Sequence, residues 1–357
     1  MKLEAWEQFK RIALSGPSQK GSPGSKEPEK GQKVVTALIV DSPWIPGFVG
    51  IPTLDYFTLS EEWIKANLYI EERFPEVVFL PGYWMEYGMG AEPSAFGCRM
   101  KWWTNSPPSV IPAIHETSEI ARLKVPDPEA DGLMPLILHL YEHIEKSVNK
   151  QKSHIKMVAA RGPLATAAHI RGVTEFLVDL KLSPDETKKL LEITTETAIR
   201  FLRAQIKHLS EVEGILLLDD IVGFLSPRDY LEFAHPYMKE IFASFEGMVK
   251  VYHNDSKIDH LLEPLAETGL HVLNFGFNVD MEEAWQRVGH KIRLMGNIPT
   301  IEVLSDGTPE EVKSHAAECI RKTGGGQGLI LSAGGAVPPN TPARNIDALV
   351  EAASSSS

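Results

Sequence analysis

The chain has 357 residues, of which 43% are hydrophobic and 24% charged, a composition typical of a folded globular protein. That length allows one large domain or two smaller ones, so the sequence pattern has to decide between them. The formal net charge of −12 opposes binding to phosphate backbones and anionic lipid. We therefore expect neither nucleic acid nor a membrane surface among the partners.

The apolar runs, such as residues 34–40, are far shorter than the roughly 20 residues of a membrane-spanning helix. Residues 1–15 predict an amphipathic helix without the apolar stretch of a signal peptide, so the expected location is cytoplasmic. Cys98 and Cys319 lie far apart in the sequence. This spacing argues against a disulfide framework and against a zinc site built from thiolates.

Residues 16–33 hold Gly, Ser, Pro, Lys, Glu and Gln only, and such a segment has no side chains to bury. The sequence therefore predicts an N-terminal unit of residues 1–33, made of a helix and a flexible loop. A single barrel domain of residues 34–353 is predicted to follow. The chain ends in a short serine tail.

Eight short apolar runs alternate with helical patterns along this domain. They cover residues 34–40, 77–81, 156–160, 214–218, 249–252, 271–275, 292–295 and 329–332. Nearly continuous apolar runs are typical of parallel strands covered on both faces, and eight of them favour a single-domain (β/α)8 TIM barrel. An open doubly wound sheet is the alternative, but no Gly-x-Gly-x-x-Gly follows the first run. Residues 82–126 predict a long loop excursion after strand two, on the catalytic face.

In such barrels the catalytic groups lie at the carboxyl ends of the strands. His253 and Asp255 follow the fifth run and point to the same side of an extended chain. One of them could bind a metal or relay a proton beside the other, or His253 could be a rim histidine satisfied by a neighbouring carboxylate. Asp219 and Asp220 are either an acid/base pair or the N-cap of a helix beginning near residue 226.

Aromatic residues gather around Glu86, which follows the second run. Tyr83, Trp84 and Tyr87 flank it, and Trp44 lies in the first loop. Rings in loops rich in Pro and Gly predict a pocket for a flat aromatic substrate, although packing in the core explains them equally well.

Taken together, these strand ends resemble the uroporphyrinogen decarboxylase superfamily, which includes corrinoid-dependent methyltransferases. The resemblance is carried by Arg161-Gly-Pro-Leu-Ala-Thr, by Asp220-Ile-Val-Gly-Phe-Leu-Ser-Pro, by Leu294-Met-Gly-Asn-Ile-Pro and by Leu331-Ser-Ala-Gly-Gly. It implies a β/α barrel over nearly everything from Val34 onward, in agreement with the strand count.

Two departures from the family pattern bear on function. Decarboxylases of the family carry an Arg-Gln-Ala-Gly-Arg segment that holds carboxylates, whereas residues 44–52 here contain no cation. The segment Ala91-Glu-Pro-Ser-Ala-Phe-Gly-Cys98 instead resembles the methyltransferase branch. Thiol methyltransferases of that branch hold zinc with His-x-Cys and a later cysteine, and these positions read His253-Asn-Asp255 and Gly335. The resemblance therefore puts a zinc ion in doubt, while His253 and Asp255 could still hold a harder metal.

The resemblance and an aromatic pocket free of cations predict an O-demethylase methyltransferase of anaerobic metabolism. It would move a methyl group from a small methylated compound, foremost a methoxylated aromatic, to the cobalt of a partner corrinoid protein. A uroporphyrinogen decarboxylase-like decarboxylase and a non-catalytic corrinoid-binding scaffold are the alternatives, and a homodimer is left open.

Each candidate site residue has an expected role in that reaction. His253 with Asp255 is the first choice of acid, without a metal, and Glu86 is the second. The substrate contacts are expected to be Trp44, Tyr83, Trp84, Tyr87, Asn254, Asn274, Asn297 and Asp219.

Overall fold

The computed structural model describes residues 1–15, 34–40 and 43–355. The strands within them are β1 (Val35–Ile39), β2 (Val77–Leu80), β3 (Arg99–Lys101), β4 (Ser109–Ile111), β5 (Met157–Arg161), β6 (Gly214–Leu218), β7 (Val249–Asn254), β8 (Val272–Phe275), β9 (Arg293–Ile298) and β10 (Leu329–Ala333). The predicted flexibility of residues 16–33 concerns residues outside this description.

The α-helices of the described residues surround these strands. They are α1 (Leu3–Leu14), α2 (Trp44–Val49), α3 (Thr53–Thr58), α4 (Ser60–Arg73), α5 (Ala91–Ser94), α6 (Met134–Lys150), α7 (Pro163–Arg171), α8 (Val173–Leu182), α9 (Pro184–His208), α10 (Pro227–Phe233), α11 (His235–Ala243), α12 (Leu262–Ala266), α13 (Met281–Val288), α14 (Pro309–Lys322) and α15 (Ala343–Ser355). Short turns of 3₁₀-helix (Thr117–Arg122, Asp220–Phe224, Asp259–Leu261) and of π-helix (Thr300–Ser305) complete the set. Among the helices described, none is long and apolar enough to cross a membrane.

Eight parallel strands form a nearly closed barrel, in the order β2-β1-β10-β9-β8-β7-β6-β5. The predicted (β/α)8 TIM barrel is therefore confirmed, and each of the eight predicted runs corresponds to one barrel strand. Four strands extend beyond the predicted carboxyl ends, β5 to Arg161, β7 to Asn254, β9 to Ile298 and β10 to Ala333. β7 includes His253 and Asn254, and β9 includes Asn297, so these polar residues belong to the strands themselves.

The interior of the barrel is a separate apolar cluster to which every barrel strand contributes. Its members include Ala37, Val78, Ala159, Leu216, Val251, Val272, Met295 and Ile330. Because side chains alternate along a strand, residues two positions away from these also face the interior. A second, larger cluster lies between the outer faces of the strands and the helices.

Helix α1 belongs to the interior cluster rather than to the outer one. Its Trp6 and Phe9 are fully buried there. The N-terminal ammonium group of Met1 donates to the carbonyl of His154, 2.6 Å away and just before β5. Because His154 precedes a strand, α1 closes the amino end of the barrel, opposite the carboxyl ends of the strands.

The excursion after β2 contains α5 and the antiparallel hairpin of β3 and β4. Its first residues contact α6 and β5. The hydroxyl of Tyr141 on α6 accepts from the backbone N–H of Met85, 3.1 Å away, and Glu86 pairs with Arg161 of β5. Further along, the N–H groups of Ala113 and Ile114 donate to the carbonyl of Ile170 on α7.

Candidate active site

His253 faces the barrel interior near the carboxyl end of β7. It alternates with the interior residues Val249 and Val251 and is 3% exposed. The strand register places Arg161, Leu218, His253 and Asn274 side by side on β5, β6, β7 and β8. These four residues therefore form one level across the upper barrel.

Asn274 determines which nitrogen of His253 carries the proton. Its amide nitrogen donates to the carbonyls of Met295 and Ala333, both at 3.0 Å, so its amide oxygen must be the atom 2.7 Å from His253 Nδ1. An oxygen there only accepts, so Nδ1 is the donor. In the neutral imidazole this leaves Nε2 with a free lone pair.

Two carboxylates lie beside that nitrogen. Asp220 Oδ1 is 3.8 Å from His253 Nε2 and also accepts from the backbone N–H of Asp255 at 3.1 Å. Partial burial and the charge of Asp220 raise the pKa of Asp255 above its ordinary value, although His253 opposes this shift. The predicted pairing of His253 with Asp255 thus has a third member, Asp220.

One ligand atom from each of Asp220, His253 and Asp255 lies within 4.8 Å of the others. Bonds of about 2.0–2.2 Å to one ion allow ligand atoms up to about 4.4 Å apart, so a small side-chain rotation closes the site. One imidazole and two carboxylates fit a borderline or hard divalent cation better than a thiophilic one. These residues therefore fit a metal ion.

Gly335 lies directly beside the carboxylate of Asp255. A Cβ atom at this position would lie 3.2 Å from Asp255 Oδ2, and the backbone has φ +151°. The carboxylate of Asp255 thus occupies the space into which a side chain at position 335 would extend.

We predict that Asn274→Ala weakens metal binding about 10- to 100-fold, because His253 would lose the partner that orients it. The measurement is calorimetric titration of the metal-free protein with Mn²⁺ or Zn²⁺. Asn345→Ala is the matched control, since Asn345 is fully buried and donates to the carbonyls of Leu304 and Gly307. Equal affinities in the two variants would contradict the orienting role of Asn274.

Asp219 bonds to the protein backbone and is not exposed to a substrate. It is fully buried, its Oδ2 accepts from the backbone N–H of Leu164 at 2.9 Å, and burial raises its pKa. This contact lies in the first turn of α7, so Asp219 stabilises that helix end. The N-cap of the helix beginning near residue 226 is Ser226, so the expected N-cap role of the Asp219 and Asp220 pair was wrong for that helix.

The three asparagines expected to contact substrate are occupied by protein groups. Asn254 donates to the Asp219 carbonyl at 2.7 Å and accepts from the N–H of Ser256 at 3.0 Å. Asn297 donates to the carbonyls of Gly276 and Val279. Together with the bonds of Asn274, these contacts support the strand ends. Direct substrate binding by the three asparagines stays a prediction, and their hydrogen bonds to protein groups disfavour it.

The upper barrel contains a cation, which corrects the expected cation-free pocket. Arg161 is 7% exposed, and its Nη2 donates to Glu86 Oε2 at 3.0 Å and to the Gly88 carbonyl at 3.2 Å. Its guanidinium carbon lies 4.8 Å from the centre of the Trp84 ring. Glu86, the second choice of acid, is therefore held in an ion pair.

The expected aromatic contacts divide into two groups. Trp84 belongs to the interior cluster, whereas Trp44, Tyr83 and Tyr87 belong to the outer one. The Trp44 indole donates to the Thr341 carbonyl, and the Tyr83 hydroxyl donates to Glu71. Of the four rings, Trp84 is thus the one placed among the interior residues, and the substrate role of the other three stays a prediction.

Sequence reasoning missed two residues, Asp220 as a member of the His253 cluster and Arg161 as an interior cation. Both had a signal in the sequence, because Arg161 directly follows the third apolar run and Asp220 is the second residue after the fourth. Neither signal distinguishes an interior side chain from one that caps a helix. That distinction depends on the backbone at the end of each strand.

These features define a β/α-barrel protein with a cluster of titratable groups at the carboxyl ends of its strands. The family model described as uroporphyrinogen decarboxylase (URO-D) matches residues 83–356. The chain therefore belongs to the uroporphyrinogen decarboxylase (URO-D) family, a family of enzymes.

Individual proteins similar to this chain include two uroporphyrinogen decarboxylases and one solved methyltransferase structure. Uroporphyrinogen decarboxylase of Methylobacillus flagellatus is 28% identical over 269 residues, which cover 73% of this chain and 74% of that protein. The enzyme of the same name from Trichodesmium erythraeum is 29% identical over 250 residues, covering 67% and 68%. Among solved structures, a methyltransferase from Methanosarcina mazei has a TM-score of 0.81 at 21% identity, with 98% of both chains covered. This last similarity concerns the fold.

Proposed function

We propose that this protein is a methyltransferase that moves a methyl group from a methoxylated aromatic compound to the cobalt of a corrinoid carried by a partner protein. The observation that carries the proposal is the cluster of Asp220, His253 and Asp255. It offers metal ligands and a proton donor at the end of the barrel where catalytic groups of this fold lie. The full-length similarity of fold to a methyltransferase supports it.

The reaction breaks the bond between methyl carbon and ether oxygen and forms a bond between methyl carbon and cobalt. Cobalt(I) supplies the electron pair, and the departing phenolate takes up a proton. A divalent ion held by Asp220, His253 and Asp255 would act as a Lewis acid on the ether oxygen. Without it, protonated His253 would donate that proton from Nε2, while Asn274 keeps the ring in place.

A decarboxylase is the second candidate, because the similar proteins named above are uroporphyrinogen decarboxylases. Two observations favour methyl transfer. Residues 44–52 contain no cation, and the carboxylates of Asp220 and Asp255 lie beside His253, where they would repel a substrate with many carboxylates. Arg161 is the interior cation near this site, and Glu86 already pairs with it.

Methyl transfer to a carried corrinoid requires a protein surface that another protein can cover. Three large apolar side chains are exposed in segments that follow β6, β8 and β9. They are Phe224, Phe277 and Ile301, which are 66%, 48% and 58% exposed. Segments that follow parallel strands lie at one end of the barrel, so we propose these residues as contacts of the corrinoid protein.

Phe277→Ser is expected to raise the KM for the corrinoid protein about 10-fold with little change in kcat, because a buried aromatic anchor is lost from the complex. The measurement is methyl transfer at increasing concentrations of corrinoid protein. The matched control is Leu3→Ser, which removes a 45% exposed apolar side chain from α1 at the other end of the barrel. An equal KM in both variants would remove Phe277 from the interface.

The proposed function is tested by anaerobic turnover with a corrinoid protein reduced to cobalt(I). Methoxylated aromatics, methanol, methylamines and methylated thiols are offered as donors, and formation of methyl-cobalt is followed by absorbance. In parallel, release of carbon dioxide from uroporphyrinogen is measured. Methyl-cobalt formed from aromatic ethers supports the proposal. Carbon dioxide release without methyl transfer would replace it with the decarboxylase.

A further inference from the structure

The two carboxylates of the cluster come from different strand ends. Asp220 begins the turn of 3₁₀-helix after β6, and Asp255 directly follows β7. Each places one oxygen within 4.8 Å of the other, and the Asp220 side chain is 37% exposed. Two like charges at this distance repel each other. An arrangement ready for a metal ion therefore depends on contacts that hold the two segments together.

Asn254 provides such a contact through one buried amide. Its Nδ2 donates to the carbonyl of Asp219 at 2.7 Å, and its Oδ1 accepts from the backbone N–H of Ser256 at 3.0 Å. Asp219 directly precedes Asp220, and Ser256 directly follows Asp255. Asn254 is fully buried, where hydrogen bonds are stronger than in water. One side chain thus joins the backbone beside each of the two carboxylates.

Further bonds connect this link to the cluster. The backbone N–H of Asp255 donates to Asp220 Oδ1 at 3.1 Å, and that oxygen lies 3.8 Å from His253 Nε2. The Ser256 hydroxyl oxygen lies 2.5 Å from Asn254 Oδ1 and 3.0 Å from the carbonyl oxygen of Asp220. A shift of the backbone at Ser256 would therefore displace the N–H group that orients the Asp220 carboxylate.

Asn254 lies on the outer side of the barrel wall. Side chains alternate along β7, so Asn254 is on the face opposite His253. On that face its Nδ2 lies 3.2 Å from the hydroxyl of Tyr252, which belongs to the outer apolar cluster. This position separates Asn254 from an ion held at the cluster, so its effect on the ion has to pass through the backbone.

We propose that Asn254 is a positioning residue that sets the separation of Asp220 and Asp255 and so prepares the cluster to bind a divalent cation. This inference rests on the metal-assisted form of the proposed function. Without the link, the ion itself would have to draw the two carboxylates together. The free energy needed to order both segments would then weaken metal binding.

Spectroscopic titration of the metal-free protein with Co²⁺ tests the proposal without any corrinoid. Asn254→Ala is expected to weaken Co²⁺ binding about 10- to 100-fold. It should also change the visible absorption of the bound ion, because water would replace one carboxylate. The variant should fold, since the Tyr252 hydroxyl still donates to the Asp219 carbonyl at 2.9 Å. Ser256→Ala, which removes only the hydroxyl, should weaken binding about 3- to 10-fold.

Asn67→Ala is the matched control. Asn67 is buried on α4, and its Nδ2 lies 3.0 Å from the Tyr56 hydroxyl and 2.9 Å from the Trp63 carbonyl. These are the same two kinds of acceptor that Asn254 contacts. The control should lose a similar amount of thermal stability and keep the Co²⁺ affinity and spectrum of the wild type. Equal Co²⁺ affinity in Asn254→Ala and Asn67→Ala would overturn the proposal.

A double-mutant cycle tests whether Asn254 acts through Asp220. If it does, Asp220→Asn should weaken Co²⁺ binding by a much smaller factor in Asn254→Ala than in the wild type. A purely structural effect of Asn254 would leave the two factors equal, and that result would remove the positioning role.

The same titrations distinguish failure of this inference from failure of the proposed function. A wild type that transfers methyl groups but binds no Co²⁺ would leave the methyltransferase in place, with His253 as acid, and would remove the positioning role. Co²⁺ binding that depends on Asn254, without any methyl transfer to reduced corrinoid, would keep the positioning role and remove the methyltransferase.

Discussion

His253→Ala is expected to slow methyl transfer about 10²- to 10⁴-fold, the range that a positioned proton donor contributes. The variant loses Nε2, which lies beside Asp220 and Asp255 while Asn274 holds the ring through Nδ1. It should therefore also lose metal binding. Rates are measured with reduced corrinoid protein, and metal content is measured by elemental analysis after dialysis. If His253 acts as acid alone, activity survives chelators in the wild type. If the cluster holds a metal, chelators abolish activity and added divalent ions restore it.

His271→Ala is the matched control for this experiment. His271 directly precedes β8, at the amino end of the barrel, and its Nδ1 accepts from the backbone N–H of Lys250 at 3.1 Å. This variant removes an imidazole of the same barrel at the end opposite the carboxyl ends of the strands. Its turnover and metal content should therefore match those of the wild type. Equal turnover in both variants would remove His253 from the mechanism.

Trp6→Ala is expected to destabilise the fold by about 3–5 kcal/mol, the cost of truncating a fully buried aromatic side chain. Trp6 fills the amino end of the barrel interior, where it belongs to one cluster with residues of all eight barrel strands. Thermal unfolding measures the effect. Below the unfolding temperature, turnover should stay close to that of the wild type, because the candidate active site lies at the other end.

Leu3→Ala on the same helix is the control, since its side chain is 45% exposed and its truncation should change stability by about 0.5 kcal/mol or less. If Trp6→Ala lowers the unfolding temperature no further than Leu3→Ala, α1 is an appendage and not part of the core. The result therefore also tests whether the N-terminal helix and the barrel form one folded unit.

The eight barrel strands were predictable from the sequence because each is covered on both faces. Such strands need nearly continuous apolar runs, and helices between them need a different period, so the alternation is visible without coordinates. The pairing of His253 with Asp255 was visible for a similar reason. Two residues on one strand end are related by a period of two, which is a local property of the chain.

Contacts between strands required the tertiary structure. Asn274 orients His253, and Arg161 faces the same space, because the parallel register brings distant residues to one level. The sequence also failed to separate Asp219 from Asp220. Asp219 accepts from the first turn of α7, whereas Asp220 lies beside His253. The backbone after β6 determines which of the two carboxylates takes each position. Residue types and local periods therefore follow from the sequence, whereas the partner of each polar group depends on how separate strands align in space.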